Sequence, residues 1–550
     1  MSQLYRERIL LKKALNENDM EESKRLFESS EDQYQLICEL LRYELEDTEK
    51  IKFLLDLYTG DINHQDDDSQ WTLLHWAADF RLAGMVAILL NKPGINVNIL
   101  DESGLTPLGI AIDGAVIEVI DLLLEDPRID INIKGDNGQG YLHHIVLLEN
   151  KELLPVFKKI LNHPNIDVNT KTDQGSTPLH YACTRSHEFV QLLLEREDIL
   201  VNEKNNSNWE TPLFLAFNNN NDIQCAELLI ADPRVDVNIA NMYGVTLIEK
   251  LVLDGVHPRE IEMVLTRQDL VIAQPPETTL LHLCIQYTGR YYIKNFELLL
   301  KKTNLSINAQ DRDGNTPLHI ASQRFKYENF PILLSQPNID VRIKNRVNQP
   351  ALKVDLYAVN NKFIDGLVEK ILLAPNVDVV ENAIPSENGG TFVHQYLLIK
   401  AKNMGIPQPI PDSIWNILNS NINILDEAGQ VPIMMLNKAY TEELYASKVK
   451  EISKILDNLV QNPSIELDAV DKNGNNMFLH FLTTLRSKRS GDSIAMNIKE
   501  INTYLTMLAS KGVNPTLPNN SGQTIVDLSE GLPNRIQEHI VGIIAKFVNK

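Results

Sequence analysis

A short apolar phrase returns along this chain, each time followed by a polar stretch, a second apolar run and an extended segment that bears asparagine. Its strongest copies are GLTPLGIA (104–111), GSTPLHYA (175–182), ETPLFLA (210–216) and GNTPLHIA (314–321). Weaker copies are WTLLHWAA (71–78), GQGYLHH (138–144), GVTLIEK (244–250), TTLLHLC (278–284), GGTFVHQ (389–395), GQVPIMM (429–435), NNMFLHF (475–481) and GQTIVDL (522–528). Taken at the Leu of TPLH, the ruler reads Leu74, Leu108, Leu142, Leu179, Leu213, Ile248, Leu281, Leu318, Leu352, Val393, Ile433, Leu479 and Val526. The first eight intervals run from 33 to 37 residues and the last four from 40 to 47, so the C-terminal copies carry insertions. An independent landmark keeps the same phase. An Asn falls eight residues after a leucine in the pairs Leu55/Asn63, Leu90/Asn98, Leu124/Asn132, Leu161/Asn169, Leu194/Asn202 and Leu300/Asn308.

Each period predicts a turn, a helix and a second helix. In 173–202, Asp173, Gln174 and Gly175 are turn residues, Thr177 suits an N-cap and Pro178 a first helical position. Leu179, Ala182 and Cys183 then share one face at helical spacing, and the small Ala and Cys let a neighbouring helix come close. Phe189, Val190, Leu192, Leu193 and Leu194 form the returning helix, and Ile199, Val201 and Asn202 lead into the next extended finger. One such unit cannot bury both of its faces. Stability must come from stacking on neighbours, with caps at the ends. Helical patterns at 5–15, 20–28, 33–43 and 47–58 supply one cap. The stripe Ile536, Ile540, Ile543, Ile544 and Phe547 in 523–548 supplies the other.

The TPLH phrase, its period near 33 residues and the IDVN fingers resemble the ankyrin-repeat family over about 33–545, with specific motifs to about 345 and degenerate ones beyond. The resemblance implies an all-α solenoid of helix-turn-helix units with extended fingers. Its expected organisation is a helical cap with a first degenerate repeat (1–60), regular repeats (61–345), degenerate repeats with insertions (346–518) and a capping repeat (519–550). It further implies a protein-protein interaction scaffold that reads a partner with its concave surface. The family's habitual partner positions fall here on Trp71, Asp79, Phe80, Leu105, Asp113, Gln139, Ser176, Thr184, Arg185, Glu210, Thr278, Gln286, Tyr287, Asn315, Gln323 and Arg324. The fingers' Asn98, Asn132, Asn169 and Asn238 resemble ankyrin asparagines that the host oxygenase of hypoxia signalling hydroxylates, which would make the chain a substrate. The hPxIDVN phrases HPNIDVN (163–169), DPRVDVN (232–238) and QPNIDV (336–341) are similar to those of ankyrin proteins of amoebae and of bacteria living inside host cells. On that likeness the chain is expected to be an effector acting in host cytosol, with Glu538, Phe547 and Val548 a loose C-terminal secretion signal or simply part of a capping helix.

Composition narrows the partners. Of 550 residues 43 % are hydrophobic and 23 % charged, ordinary for a globular chain, and no run approaches the roughly 18 apolar residues of a membrane helix. The first residues, MSQLYRERILLKKAL, scatter charge through any would-be signal peptide. The formal net charge of -22 disfavours nucleic acid and favours a neutral or basic protein partner, bound by a cytoplasmic monomer. Cys38, Cys183, Cys225 and Cys284 form no CxxC and no ligand set, which fits a reducing compartment.

No catalytic, cofactor or metal site emerges. The histidines His75, His143, His180, His282, His319, His394 and His480 recur once per unit, and in the family this position bonds neighbouring fingers. His143 and His144 are adjacent, so on a helix they point apart and cannot chelate together. HExxH, GxGxxG, GxxxxGK[ST] and GxSxG are all missing. The chain therefore reads as a non-enzyme. The alternative is an active site within 353–520, where the repeats are least regular. Several features carry two readings each. Trp71 and Phe80 are either partner anchors or packing, and Asp66–Asp67–Asp68 is either a contact for a basic partner or a solvated finger tip. Trp209, standing where the consensus has Gly, either protrudes or plugs a gap. The insertions 405–411 (GIPQPIP) and 486–492 (RSKRSGD) are either partner grips or tolerated loops.

Overall fold

The computed structural model describes residues 3–42, 47–218, 223–272, 278–286, 291–323, 329–349, 351, 393–394, 396–397, 412–426, 429–442, 452, 454–459, 465–488 and 498–549. Among these residues every regular element is a helix and there is no β-strand. Two compact units are present: Met1–Leu251 with Arg259–Val271, and Val252–Pro258 with Ile272–Lys550.

The N-terminal unit opens with the four expected cap helices, Gln3–Asn16, Met20–Glu28, Gln33–Arg42 and Thr48–Leu57. Asp19 and Asp47 cap the second and fourth by accepting backbone N–H bonds from the first turn. Helix pairs follow. The leading helices Leu73–Asp79, Pro107–Asp113, Tyr141–Leu148, Pro178–Cys183 and Pro212–Asn218 pack on one another in succession. The returning helices Ala83–Leu90, Ile117–Leu124, Leu154–Leu161, His187–Leu194 and Ile223–Ala231 form a second row. In the unit 173–202, Leu179, Ala182, Cys183, Phe189, Val190 and Leu193 are all fully or almost fully buried. Each large apolar side chain so buried contributes about 1.5–3 kcal/mol, and most of its partners belong to the neighbouring repeats.

The fingers are tied by asparagine. Asn98 Nδ2 donates to the Arg128 carbonyl (2.9 Å) while its Oδ1 accepts the Asp130 N–H (2.9 Å). Asn132 repeats the arrangement with Asn165 and Asp167, Asn169 with Asp198 and Leu200, and Asn202 with Arg234 and Asp236. Asn238 does so with Asp269 and Val271. Cations tie the outer row. Lys92, Arg128, Arg196, Arg234 and Arg267 donate to the carbonyls of Leu55, Leu90, Leu161, Leu194 and Ile230, each near the C-terminal end of the preceding returning helix, where positive charge is favoured. An Asp two residues from each Arg (Asp126, Asp198, Asp232, Asp269) holds its guanidinium in place.

The C-terminal unit uses the same parts where it is described. Leu280–Gln286, Tyr292–Lys302 and Pro317–Gln323 form one group, and Asn308 bridges to Asn338 and Asp340 as its counterparts do. Met435–Glu442, Met477–Lys488, Ile498–Ser510, Ile525–Ser529 and Asn534–Val548 form another. The last helix buries Ile536, Ile540 and Ile543, the predicted capping stripe, and leaves Ile544 and Phe547 half-buried. Gly542 lies exposed on its outer side, and a Cβ there would meet nothing within 4 Å. Gly542→Ala is therefore expected to stabilise this helix by about 0.5–1 kcal/mol, seen as a rise in the urea midpoint of the C-terminal unit at unchanged slope. A neutral or lowered midpoint would mean that the helix is already frayed there.

Candidate functional site

The site is built on the turn that precedes each leading helix. Thr177 caps Pro178–Cys183: its N–H donates to His180 Nδ1 (3.1 Å), its hydroxyl lies 2.9 Å from the same nitrogen, and His180 Nε2 reaches the Glu210 carbonyl of the next finger (3.2 Å). An Nδ1 that accepts requires the neutral, Nε2-protonated ring. His75, His143, His282, His319 and His394 make the same reach to the carbonyls of Leu105, Ser176, Asn315, Gln349 and Gln430. Burial holds His143 and His180 down to about 4 and lowers His75, His282, His319 and His394 as well. The histidine column is a set of neutral cross-finger braces. No group of three or more His, Cys, Asp or Glu able to hold a metal occurs among the described residues.

The four cysteines are buried free thiols. Burial pushes Cys38 up to about 12 and Cys183 and Cys284 well above the ordinary thiol value, so none of these three offers a thiolate. Both the histidines and the cysteines are absorbed by the scaffold.

At the N-terminal edge three rings come together. Trp71 meets Trp76 edge-on at 4.7 Å between centroids, and Phe80 stacks on Trp76 at 5.3 Å. The Arg42 guanidinium sits 5.2 Å from the Trp76 ring centroid. Trp71 Nε1 donates to Asp101 (2.9 Å) and Trp76 Nε1 to Asp66 (3.3 Å). All three rings are half-buried, so packing and accessible surface coexist in the same residues. Asp79 is exposed beside them, and partial desolvation raises its carboxyl. Asp66 is committed to its own turn through the Ser69 N–H and hydroxyl, whereas Asp67 and Asp68 are solvated.

The other predicted positions divide by exposure. Asp113 and Arg185 are exposed, Asp113 hydrogen-bonded to His144 Nε2 (2.5 Å) and Arg185 paired with Glu149. Leu105, Gln139, Ser176 and Thr184 are half-buried, the last bonded to the Tyr181 carbonyl. Glu210 is buried, at 8 % exposure, because its finger closes over it, and it presents almost no side chain to a partner. In the C-terminal unit Asn315 is buried too, its Oδ1 accepting from Gln323 Nε2 and Asn345 Nδ2. Exposure was expected of both, and the structure corrects it. Thr278 and Gln286 are half-buried and Gln323 is exposed. Tyr287, Arg324 and the insertion 405–411 lie outside the described residues, as do 489–492 of the second insertion, while Arg486–Lys488 finish a helix. Asn98, Asn132, Asn169 and Asn238 have their amides engaged at both ends in the finger bonds described above.

Of the two alternatives open for Trp209, protruding or plugging a gap, the structure has it protrude, 53 % exposed, with a left-handed φ of 57°. Tyr243 on the next finger is 72 % exposed. Lys204 Nζ lies 5.6 Å from the Trp209 ring centroid. What escaped the sequence reading is a cleft of about 580 Å³ between the turns 102–106 and 133–141. Its signal was present in the phrase GLTPLGIA, where Gly109 stands in the place of the histidine.

A family model described as ankyrin repeats (3 copies) matches residues 37–135 and 142–241. Among solved structures the chain is similar to the ankyrin repeat domain of Bcl-3, described as a unique member of the IkappaB protein family, at 22% identity and TM-score 0.34. That match covers 40% of this chain and 97% of that one. It is similar also to EF0377, an ankyrin repeat protein, at 22% identity and TM-score 0.32, over 38% of this chain and 99% of that one. No curated protein matches the chain. With the family model on 37–135 and 142–241, and the same turn, helix pair and finger bonds observed in those residues, these two stretches of the chain are ankyrin repeats.

Proposed function

We propose that the chain is an adaptor that docks a protein partner on the leading-helix and finger surface of its N-terminal unit, anchored at Trp71, Trp76 and Phe80. Ankyrin repeats are in general protein-protein interaction modules. The observation that carries the reading is the three-ring cluster, half-buried beside an exposed carboxylate. Aromatic groups so placed dominate binding energy at interfaces. The scaffold's histidines and thiols are consumed structurally, which supports binding over catalysis. No described helix is long and apolar enough to cross a membrane. The setting we infer is a reducing cytosol, that of a host cell for a secreted effector, supported by the buried free thiols and by the hPxIDVN phrases. In that setting the adaptor acts as a monomer.

Phe80 stacks on one neighbour and Asp79 is exposed, so Phe80→Ala with Asp79→Lys alters the face at little expense to the fold. Proximity labelling from the intact chain, followed by quantitative binding of the recovered protein, is expected to show at least a tenfold loss for the double variant with an unchanged thermal transition. Undiminished binding would remove this edge as the anchor.

A further inference from the structure

Three departures from the repeat chemistry meet at one step of the N-terminal unit. The first is Gly109, where six other repeats place the brace histidine. With no imidazole there, the Gln139 carbonyl keeps only the Gly135 N–H (2.9 Å) and receives no cross-finger donor. The second is the pair Gly140 and Tyr141, in place of Thr and Pro. The Tyr141 hydroxyl, 2.7 Å from Thr106 Oγ1, restores a tie between the repeats without refilling the space. The third is the finger tip. In the fingers of Asp101, Asp311 and Asp471 a carboxylate accepts the N–H groups of its own turn. Here Gly135 holds that place, and the acid falls one residue later, at Asp136.

The outcome is the 580 Å³ cleft, within the size range of ligand sites. Glu102 and Asp136 line it from opposite fingers, both exposed, and neither carboxylate makes a hydrogen bond or ion pair with another described residue. No Lys or Arg lines it, and its one histidine, His144, is turned to Asp113 through Nε2 (2.5 Å). A cleft with two carboxylates, a carbonyl that holds a single donor and no lysine or arginine favours a cation that can donate in several directions at once.

We infer that this cleft receives the guanidinium of an arginine side chain supplied by the protein partner, an inference that rests on the docking reading above and gives it a chemistry. A planar fork of five donors can serve both carboxylates and the Gln139 carbonyl together, and it is more weakly hydrated than an ammonium group. The net charge of -22 draws such a group in.

The test uses the full chain and blocked arginine (acetyl-arginine methylamide), followed by saturation-transfer NMR, with the blocked citrulline and lysine counterparts as controls. Citrulline keeps the shape and loses the charge. Arginine is expected to bind at least tenfold more tightly than citrulline and measurably more tightly than lysine. Asp136→Asn with Glu102→Gln should lower arginine binding at least tenfold. Gly109→His, which restores the family side chain and fills the floor, should abolish it. An added Cβ at Gly109 would meet Leu105 Cδ2 at 3.3 Å, a tight contact with a side chain, so Leu105 must shift by a few tenths of an ångström to admit it. If Gly109→His misfolds, the carboxamide pair decides alone. Citrulline binding as well as arginine, lysine binding as well as arginine, or arginine binding untouched by the carboxamide pair would each overturn the inference. Failure of the aromatic edge in the partner assay leaves this readout standing, because the probe touches only the cleft.

Discussion

Between pH 7 and pH 5 the N-terminal unit is expected to lose about 4 kcal/mol of stability through two buried histidines, His143 and His180. In the unfolded chain an imidazole takes its proton near pH 6.5. In the folded unit both rings remain neutral down to about 4, because burial disfavours the cation and because Nδ1 already accepts a backbone N–H, from Gly140 for His143 and from Thr177 for His180. The unfolded state therefore binds protons first as the pH falls. Stability is complete above about 6.5 and declines as the pH drops toward 4, each ring removing about 2 kcal/mol by pH 5. The lowered carboxylates act in the same direction but in a more acid window. Glu188, held at about 2 by Lys151 and Ser186, loses its contribution only below about 4.5. Urea unfolding at stepped pH, followed by Trp71 and Trp76 fluorescence, measures the loss, and histidine NMR signals assign it. Flat stability from pH 7 to 5, or imidazoles that titrate near 6.5, would show that the braces open to water.

Gly135→Ala and Gly104→Ala should each destabilise the same unit by about 3 kcal/mol or more, among the larger effects open to a single methyl group. A Cβ on Gly135 would lie 2.3 Å from the Gly104 carbonyl oxygen, and one on Gly104 would lie 2.5 Å from the Asp136 backbone nitrogen. In both cases the obstacle is main chain of the adjoining finger and cannot swing aside. Gly104 adds a second penalty, a φ of 73° that disfavours any side chain. Gly94 separates the two causes. Its φ is 80° and nothing lies within 4 Å of an added Cβ, so Gly94→Ala should cost only the conformational part, about 1–2 kcal/mol. Denaturation midpoints at equal slope give the comparison. If Gly135→Ala proves no worse than Gly94→Ala, adjoining fingers can part at little expense and the close approach is not what holds them.

The period, the helix pairs and the caps were legible because each rests on a local rule that repeats. Thr before Pro, Ala and Cys at helical spacing, and Asn eight residues after Leu recur often enough to fix one phase. Even the four N-terminal helices lay within a few residues of their expected bounds. The histidine column was legible as structure for the same reason. What resisted was side-chain exposure, which depends on how a finger closes. Glu210 and Asn315 occupy the same register as Trp71 yet are buried: Asn205 Oδ1 holds the Glu210 main-chain N–H in its turn, and the Asn315 side chain accepts from Asn345 Nδ2. Trp209 could not be decided from sequence, since a residue in a glycine position protrudes or packs according to its neighbours. The cleft was missed for a different reason: GLTPLGIA counts among the strongest copies of the phrase, and that match hides Gly109 as a deletion in a column of braces. Departures from a strong repeat carry more information than its matches.

The asparagine bridges have one further consequence. A side-chain amide carries a carbonyl and an N–H, the groups that a peptide bond offers, so each Asn works as a spare peptide link aimed at the following unit. It asks of that unit only main-chain atoms, which every sequence possesses. Gain or loss of a whole period between two such residues thus leaves compatible ends, while gain or loss of a fraction does not. The chain can change its length in whole repeats without rewriting the neighbours, and its surface can diversify while the joints stay the same.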